Sequence, residues 1–415
     1  MDADLKIVRN DIPNGAVDFP EALHPIIKQI FLSRGITAPT QIENIFDHLL
    51  PFDDLKNINS AADILVEHIQ QQQNILIVGD YDADGATSCT LAVRVLTAFG
   101  VQNVDYLVPN RFEYGYGLTP EIVNVAKLKS PDLIVTVDNG IASIQGVQTA
   151  NELGIKVLIT DHHLPAKTVP DAAAIVNPNQ QGDPFKSKHL AGVGVIFYVM
   201  LAVRARLREL NWFEQQNIKE PNLANYLDLV ALGTVADVVK LDHNNRILVA
   251  QGLKRIQAGQ ACPGIKALLK VAGRDETKIV SSDLGFSVGP RLNAAGRLDD
   301  MSIGIECLLS DDMDSALEKA QTLDSFNRER RKIEQGMREQ AKGHIEKIIS
   351  QTSTEQLPNG LCIYDPDFHE GVIGIVAGRI KEQMHRPTIV FAKSANGNIK
   401  GSARSIVGVH IRDAL

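Results

Sequence analysis

Between Ile75 and Asn177 the chain alternates short apolar runs with helix-favouring segments, and this pattern constrains the fold more than any other feature. The runs "ILIV" (75–78), "VDYLV", "DLIVTV", "KVLIT" and "AAAIVN" are short and mostly rich in β-branched residues, as buried strands are. Between them lie "TSCTLAVRVLTAFG", closed by Gly100, "PEIVNVAKL", opened by Pro120, and "IQGVQTANELG", closed by Gly154. Proline at the first helical position and glycine just past the last one are helix-boundary signals. Strands alternating with helices build βαβ units, and therefore a mainly parallel sheet with right-handed crossovers.

Residues up to about Asn74 read as mostly helical and end in a polar "QQQQ". Helical regions around Val195–Glu209 and Leu223–Leu232 precede a Gly-rich stretch, "LGFSVGPRLNAAGRLDD". From about Asp314 to Ile349 the chain is charged and almost free of Gly and Pro, which predicts one long connecting helix. Beyond "STEQLPNG" the strand "LCIYD" opens a second domain. The expected division is an N-terminal helical segment (1–45), an α/β domain (46–260), the Gly-rich segment with the long helix (261–350), and a smaller α/β domain (351–415). The chain stops at "GVHIRDAL", within what reads as the start of a helix, so a truncated second domain is expected.

A length of 415 residues is enough for two or three domains. A net charge of -8 argues against coating nucleic acid by bulk charge, but charge is segregated: residues 371–415 carry seven Lys/Arg against two Asp/Glu. The N-terminus lacks the basic-then-apolar pattern of a signal peptide, and no apolar run approaches the roughly 18 residues of a membrane span. Cys89, Cys262, Cys307 and Cys362 are far apart and form no CxxC pair. The simplest reading is a cytoplasmic protein with reduced thiols and no membrane partner.

The chemistry lies at the carboxyl ends of the strands. "LIVGDYDADGATS" crowds Asp80, Asp82 and Asp84 into five residues, "DLIVTVDNG" ends in Asp138, and "VLITDHH" ends in Asp161, His162 and His163. "LVALGTVADVV" adds Asp237 after an apolar helix, near a glycine that permits close packing. Each has an ordinary reading: Asp84 as a helix cap, Asp138 as a turn residue before Asn-Gly, the histidines as a structural pair, Asp237 as the partner of a lysine. Their convergence does not. Ligands of open parallel sheets bind outside the carboxyl ends of strands, and like charges gathered there repel unless cations hold them. Carboxylates with imidazole suit Mn²⁺, with Mg²⁺ or Zn²⁺ as alternatives, and this many ligands suits two ions about 3.5–4 Å apart, an arrangement used for phosphoryl hydrolysis.

At these residues the chain resembles the DHH phosphoesterase superfamily, in whose order and spacing "DYDADG", "VDNG", "DHH" and "GTVAD" occur. Within it, "VPNRFEYGYGL", "GPRLNAAGR", "HEGVIGIVAGRI" and "GSARS" resemble the RecJ group of bacterial single-strand-specific exonucleases, over about residues 45 to 415. The resemblance implies an α/β fold, in which a parallel-sheet DHH domain is joined by a long helix to a smaller α/β DHHA1 domain, with an OB-fold following. It implies Asp82 and Asp138 on one metal, Asp84, Asp138, His162 and Asp237 on the other, and His163 on the scissile phosphate. Val78 stands where other branches carry a ligand histidine, and Asp80 is the natural substitute. Phosphate contacts are expected from Arg111, Arg291, His369, Arg379, Lys400, Ser402 and Arg404, and base stacking from Tyr114 and Tyr116. The implied activity is Mn²⁺-dependent 5′→3′ hydrolysis of single-stranded DNA to 5′ mononucleotides, in DNA repair and recombination. The implied state is a monomer, with single-strand-binding protein and helicases as further partners. The rival expectations are an enzyme for short oligonucleotides or cyclic dinucleotides, and a non-catalytic replication scaffold.

Overall fold

The computed structural model describes residues 17–110, 112–351, 358–394, 397–409 and 411–414. Five parallel strands, β1 (Ile75–Gly79), β2 (Val104–Leu107), β3 (Leu133–Val137), β4 (Lys156–Thr160) and β5 (Ala174–Val176), form one sheet in the order β2-β1-β3-β4-β5. Side chains of a strand alternate between faces. Ile75, Ile77, Leu133 and Val135 enter one core, packed by helices Ile58–Gln70, Ala83–Ala98 and Gly192–Glu209. Leu76, Val78, Ile134, Val157 and Ile159 enter a second core under helices Pro120–Lys127 and Ile144–Glu152. Burial on both faces is why these strands read as continuous apolar runs.

Register makes the strands end level. Gly79 pairs with Val137, Val137 with Thr160, and Thr160 with Val176. The next residues, Asp80, Asp138, Asp161 and Asn177, therefore leave the sheet at one edge. The strand order reverses between β1 and β3, so Asp80 and Asp138 flank the topological switch point, where open α/β sheets bind ligands.

Packing is continuous through the middle of the chain. The boundary at 260 is not a break in packing, because the first core continues through Ile265, Leu292 and Ile305 to Leu323. The Gly-rich stretch is helical: a π-turn over Leu284–Val288 runs into helix Gly289–Leu298. Its glycines serve close contact rather than flexibility. A Cβ at Gly296 would collide with the carbonyl oxygen of Tyr81, and one at Gly289 would lie 3.0 Å from Ala236 Cβ.

The long helix spans Met313–Gln351, 39 residues and about 58 Å. It leads to β6 (Leu361–Tyr364), parallel to β7 (Thr388–Lys393), which pairs antiparallel with β8 (Ile399–Arg404). Helix Ile373–Met384 and the end of the long helix close a third core around Met337, Ala341, Val376 and Val390. No helix of the described residues is long and apolar enough to cross a membrane.

Candidate metal centre and interdomain cleft

The acids of the first loop are held by three different devices. Asp82, not Asp84, caps helix Ala83–Ala98: its Oδ1 accepts from the Asp84 and Gly85 amides at 2.9 and 3.0 Å. Asp84 lies within the first turn, and its carboxylate accepts from the Gly192 and Val193 amides at 2.6 and 2.9 Å. Those amides begin helix Gly192–Glu209, an end that favours negative charge. Position 192 must be glycine, since a Cβ there would lie 2.5 Å from Asp138 Cβ. Asp80 Oδ1 accepts from the Tyr81 amide at 2.7 Å.

Asp138 has φ 62°, in the left-handed region that non-glycine residues rarely occupy. The conformation is held from both sides. Its amide donates to the Thr160 carbonyl at 3.0 Å, and Asn139 Nδ2 donates to the carbonyls of Val78 and Val137 at 3.1 and 2.9 Å. Asp237 ends helix Leu227–Ala236 and is followed by Val238 at φ 63°, an outlier for a β-branched residue. Gly233 on that helix allows it to approach Asp84, as a Cβ there would lie 2.8 Å from Asp84 Oδ1.

The Asp161-His162-His163 triplet splits by role. Asp161 is saturated: it accepts from the His162 and His163 amides at 2.7 and 3.0 Å, from His163 Nδ1 at 2.8 Å, and from the Ile141 amide at 2.9 Å. His162 turns its Nε2 toward the acids, 3.0 Å from Asp138, 3.6 Å from Asp237 and 4.0 Å from Asp84. His163 faces outward. Its hydrogen bond to Asp161 raises its pKa to about 9, against the opposing effect of burial. The Tyr116 hydroxyl lies 3.4 Å from His163 Nε2 and from the Asp138 carbonyl, with its ring edge-on to His163.

Ligand atoms of Asp80, Asp82 and Asp138 lie within 4.8 Å of one another, as do those of Asp84, His162 and Asp237, and those of Asp138, His162 and His163. Burial, reinforced by Asp237, pushes Asp84 up to about 7; burial, reinforced by Asp82, does the same to Asp237. Burial and then the charge of Asp84 hold Asp138 well above the usual carboxylate range, and burial lowers His162. Asp138 Oδ1 and His162 Nε2 are buried and make no hydrogen bond among the described residues. Buried polar atoms in proteins are as a rule hydrogen-bonded, and two orphaned acceptors at the meeting point of these groups are what a cation would satisfy. The donor set fits divalent cations, and Asp138 belongs to two of the groups.

A cleft of about 300 Å³ joins this centre to the second domain. Tyr81, Asp82, Asn293 and Arg297 line one side; Glu370, Gly371, Lys400, Ser402 and Arg404 line the other. Gly374 opens the base of helix Ile373–Met384 to Ser402 Oγ and Arg404 Nη2, which a Cβ there would meet at 3.0 and 2.8 Å. Arg404 Nη1 donates to Ser402 Oγ at 3.2 Å, Lys400 pairs with Glu370 at 2.7 Å, and Arg297 Nη1 crosses the cleft to the Gly371 carbonyl at 3.2 Å.

Of the expected phosphate contacts, Lys400, Ser402 and Arg404 meet in the cleft. His369 stands beside it, its Nδ1 accepting from the Gly371 amide at 3.1 Å. Arg291 does not line it: its guanidinium is bound to Asp324 at 2.8 and 2.9 Å and to the Ser287 carbonyl. Arg379 faces Glu334 and Glu382, each at 3.5 Å. Arg111 lies outside the described residues. Tyr114 packs against the second core rather than standing free. Asn293 and Arg297 are not among the contacts expected from the sequence. A signal is present there, because they are four apart on one helix face while Arg291, two residues before Asn293, points the other way.

Residues 74–234 match the DHH family, N-terminal domain, and residues 357–415 match the DHHA1 domain, so fold and site define a DHH-type two-domain protein. Within that class the chain belongs to the RecJ family. It is 54% identical over 398 residues to the single-stranded-DNA-specific exonuclease RecJ of Salmonella typhimurium, covering 96% of this chain and 69% of that protein. It is 52% identical to the RecJ of Escherichia coli, covering 100% and 71%. Among solved structures, an exonuclease RecJ bound to manganese is 34% identical with a TM-score of 0.72, covering 88% of this chain and 85% of that one. The RecJ of Thermus thermophilus in complex with Mn²⁺ is 32% identical with a TM-score of 0.74, covering 92% and 52%.

Proposed function

We infer that the chain is a divalent-cation-dependent exonuclease that hydrolyses single-stranded DNA in the 5′→3′ direction, releasing 5′ mononucleotides in DNA repair and recombination. The observation that carries this reading is the orphaned pair Asp138 Oδ1 and His162 Nε2, buried among four further acids beside a cleft that presents Arg297, Ser402 and Arg404. The relatives' names and their Mn²⁺ and Mg²⁺ complexes support it.

Asp80, Asp82 and Asp138 would hold one cation and Asp84, His162 and Asp237 the other, with Asp138 bridging, and Mn²⁺ is the proposed ion. The cations supply Lewis-acid stabilisation of phosphoryl oxygens and lower the pKa of the attacking water. The chain's own groups do the rest. Asp161 keeps the Nδ1 proton of His163 engaged, which leaves Nε2 to donate to a phosphoryl oxygen as charge develops there. Arg404 and Ser402 receive the terminal 5′ phosphate, whose extra charge distinguishes an end from an internal phosphodiester. The cleft admits one strand. A cytoplasmic monomer that meets single-strand-binding protein and helicases belongs to the same reading.

An enzyme for short oligonucleotides or cyclic dinucleotides fits less well, because the long helix holds the second domain as a separate wall of the cleft. A scaffold reading would leave the retained ligand cluster without a purpose. The test is Asp138→Ala, assayed on single strands with Mn²⁺. Loss of a bridging carboxylate should lower hydrolysis by at least about 10³-fold while the circular dichroism spectrum stays native. A well-folded variant with substantial activity would refute the reading.

A further inference from the structure

One inward-facing stripe runs the length of helix Met313–Gln351, and its chemistry changes along the way. Near the start it is apolar, with Ala316, Ala320 and Leu323 in the first core. Near the end it is apolar again, with Met337, Ala341 and Ile345 in the third. Between them, at the same helical spacing, it is polar. Asp324 and Asn327 are 6% and 1% exposed, and the side chains of Arg330 and Glu334 are 12% and 15% exposed. Arg330 Nη1 donates to Glu334 at 2.7 Å and its Nη2 to Asn327 Oδ1 at 2.9 Å. Asp324 receives Arg291 from helix Gly289–Leu298, and Glu334 faces Arg379 from helix Ile373–Met384.

Burial rules out a solvated charged face. Maximal stability is also a poor explanation, since apolar side chains of similar volume in place of a buried ion pair are often neutral or stabilising, and the same stripe is apolar on both sides. What hydrogen-bonded charges add is direction: an apolar contact can slide, whereas a fork of donors fits one angle. The two helices tied here are the walls of the cleft. Gly289–Leu298 carries Asn293 and Arg297, and Ile373–Met384 carries Gly374 against Ser402 and Arg404.

We propose that Asp324, Asn327, Arg330 and Glu334 form a joint that sets the angle between the two domains, and that Arg330 and Glu334 are positioning residues for hydrolysis in the cleft. The kinetic part rests on the exonuclease reading; the geometric part does not. The test is the double variant Arg330→Met/Glu334→Leu in the full chain. Spin labels at the exposed Cys362 and at Leu128→Cys, in a Cys262→Ser background, report the distance between domains. With the native joint one narrow distance distribution is expected. In the double variant Tm and Mn²⁺ affinity should be unchanged, the distribution should broaden or shift, and KM for single strands should rise at least about tenfold with kcat altered far less. If the double variant does not fold, Glu334→Gln replaces it, with a smaller rise in KM and the same broadening expected. An unchanged distribution and KM would overturn the proposal. So would Tm, Mn²⁺ affinity and activity falling together, the signature of a merely structural role. Should the native chain fail to cut single strands, the exonuclease reading falls while the distance distribution still decides the joint.

Discussion

Asp138 sits in a left-handed backbone conformation, fully buried, with Asp80, Asp82, Asp84 and Asp237 all raising its pKa. Each of these features costs stability, and a cation that binds only the folded chain offsets them together. The same balance sets a pH dependence. Asp84 and Asp237 reach about 7 in the folded protein, above the 3.8 of an ordinary aspartate. The folded chain therefore binds more protons than the unfolded one between these values. The cation-free protein loses stability through these groups as pH rises from about 4 to about 7, and the full penalty is present above that. His162, lowered by burial, acts with the opposite sign between its depressed value and 6.5, one group against several. Cations need the deprotonated carboxylates, so their binding strengthens over the same range. At a fixed Mn²⁺ concentration, the rise in Tm should be several degrees larger at about pH 8 than at about pH 5.5 by scanning fluorimetry. Equal rises would count against this ligand set.

Helix Gly192–Glu209 earns its place at the centre through its first two amides, which take both oxygens of Asp84. Its start is apolar and carries no acidic residue, so the partner charge comes from another element. Gly192→Ala should push this helix end away from Asp138, weakening Mn²⁺ binding about tenfold or more and costing roughly 1–3 kcal/mol of stability. Calorimetric titration and denaturant melts measure the two effects separately, and native Mn²⁺ affinity in the variant would show that the close approach is dispensable. Helix Gly289–Leu298 makes the complementary point. Gly296 lowers helix propensity, yet it lets the backbone pass close to Tyr81, and Gly371 of the second domain in turn admits the Arg297 carbonyl; Tyr81 and Gly371 both line the cleft.

The two domains meet in the cleft, where Asp82 of one faces Ser402 and Arg404 of the other. Ser402 and Arg404 lie on β8, outside the metal cluster. Arg404→Ala should therefore reduce the preference for 5′-phosphorylated strands by about 10- to 100-fold, with Mn²⁺ affinity intact. Digestion of strands labelled at either end, with and without a 5′ phosphate and at one salt concentration, reads both polarity and preference. Release of the 3′ label first would reverse the polarity, and native indifference to the 5′ phosphate would remove Arg404 from end recognition.

Local pattern determined the sheet, the long helix and the edge at which the acids gather. Strand periodicity and helix boundaries are short-range properties, and parallel register brings the residue after each strand to the same edge without further information. Orientation was decided by distant partners. Asp161 is adjacent to both histidines, but only the packed site shows that it anchors His163 while His162 turns to Asp84, Asp138 and Asp237. Arg291 and Arg379 look like phosphate ligands in their motifs, and they are drawn away by Asp324 and Glu334, 33 and 45 residues distant in sequence. Asn293 and Arg297 face the cleft because glycines at 296 and 371 let two backbones meet there. Which charged groups exist is written locally; which of them remain available to a substrate depends on the ion pairs that long-range packing completes.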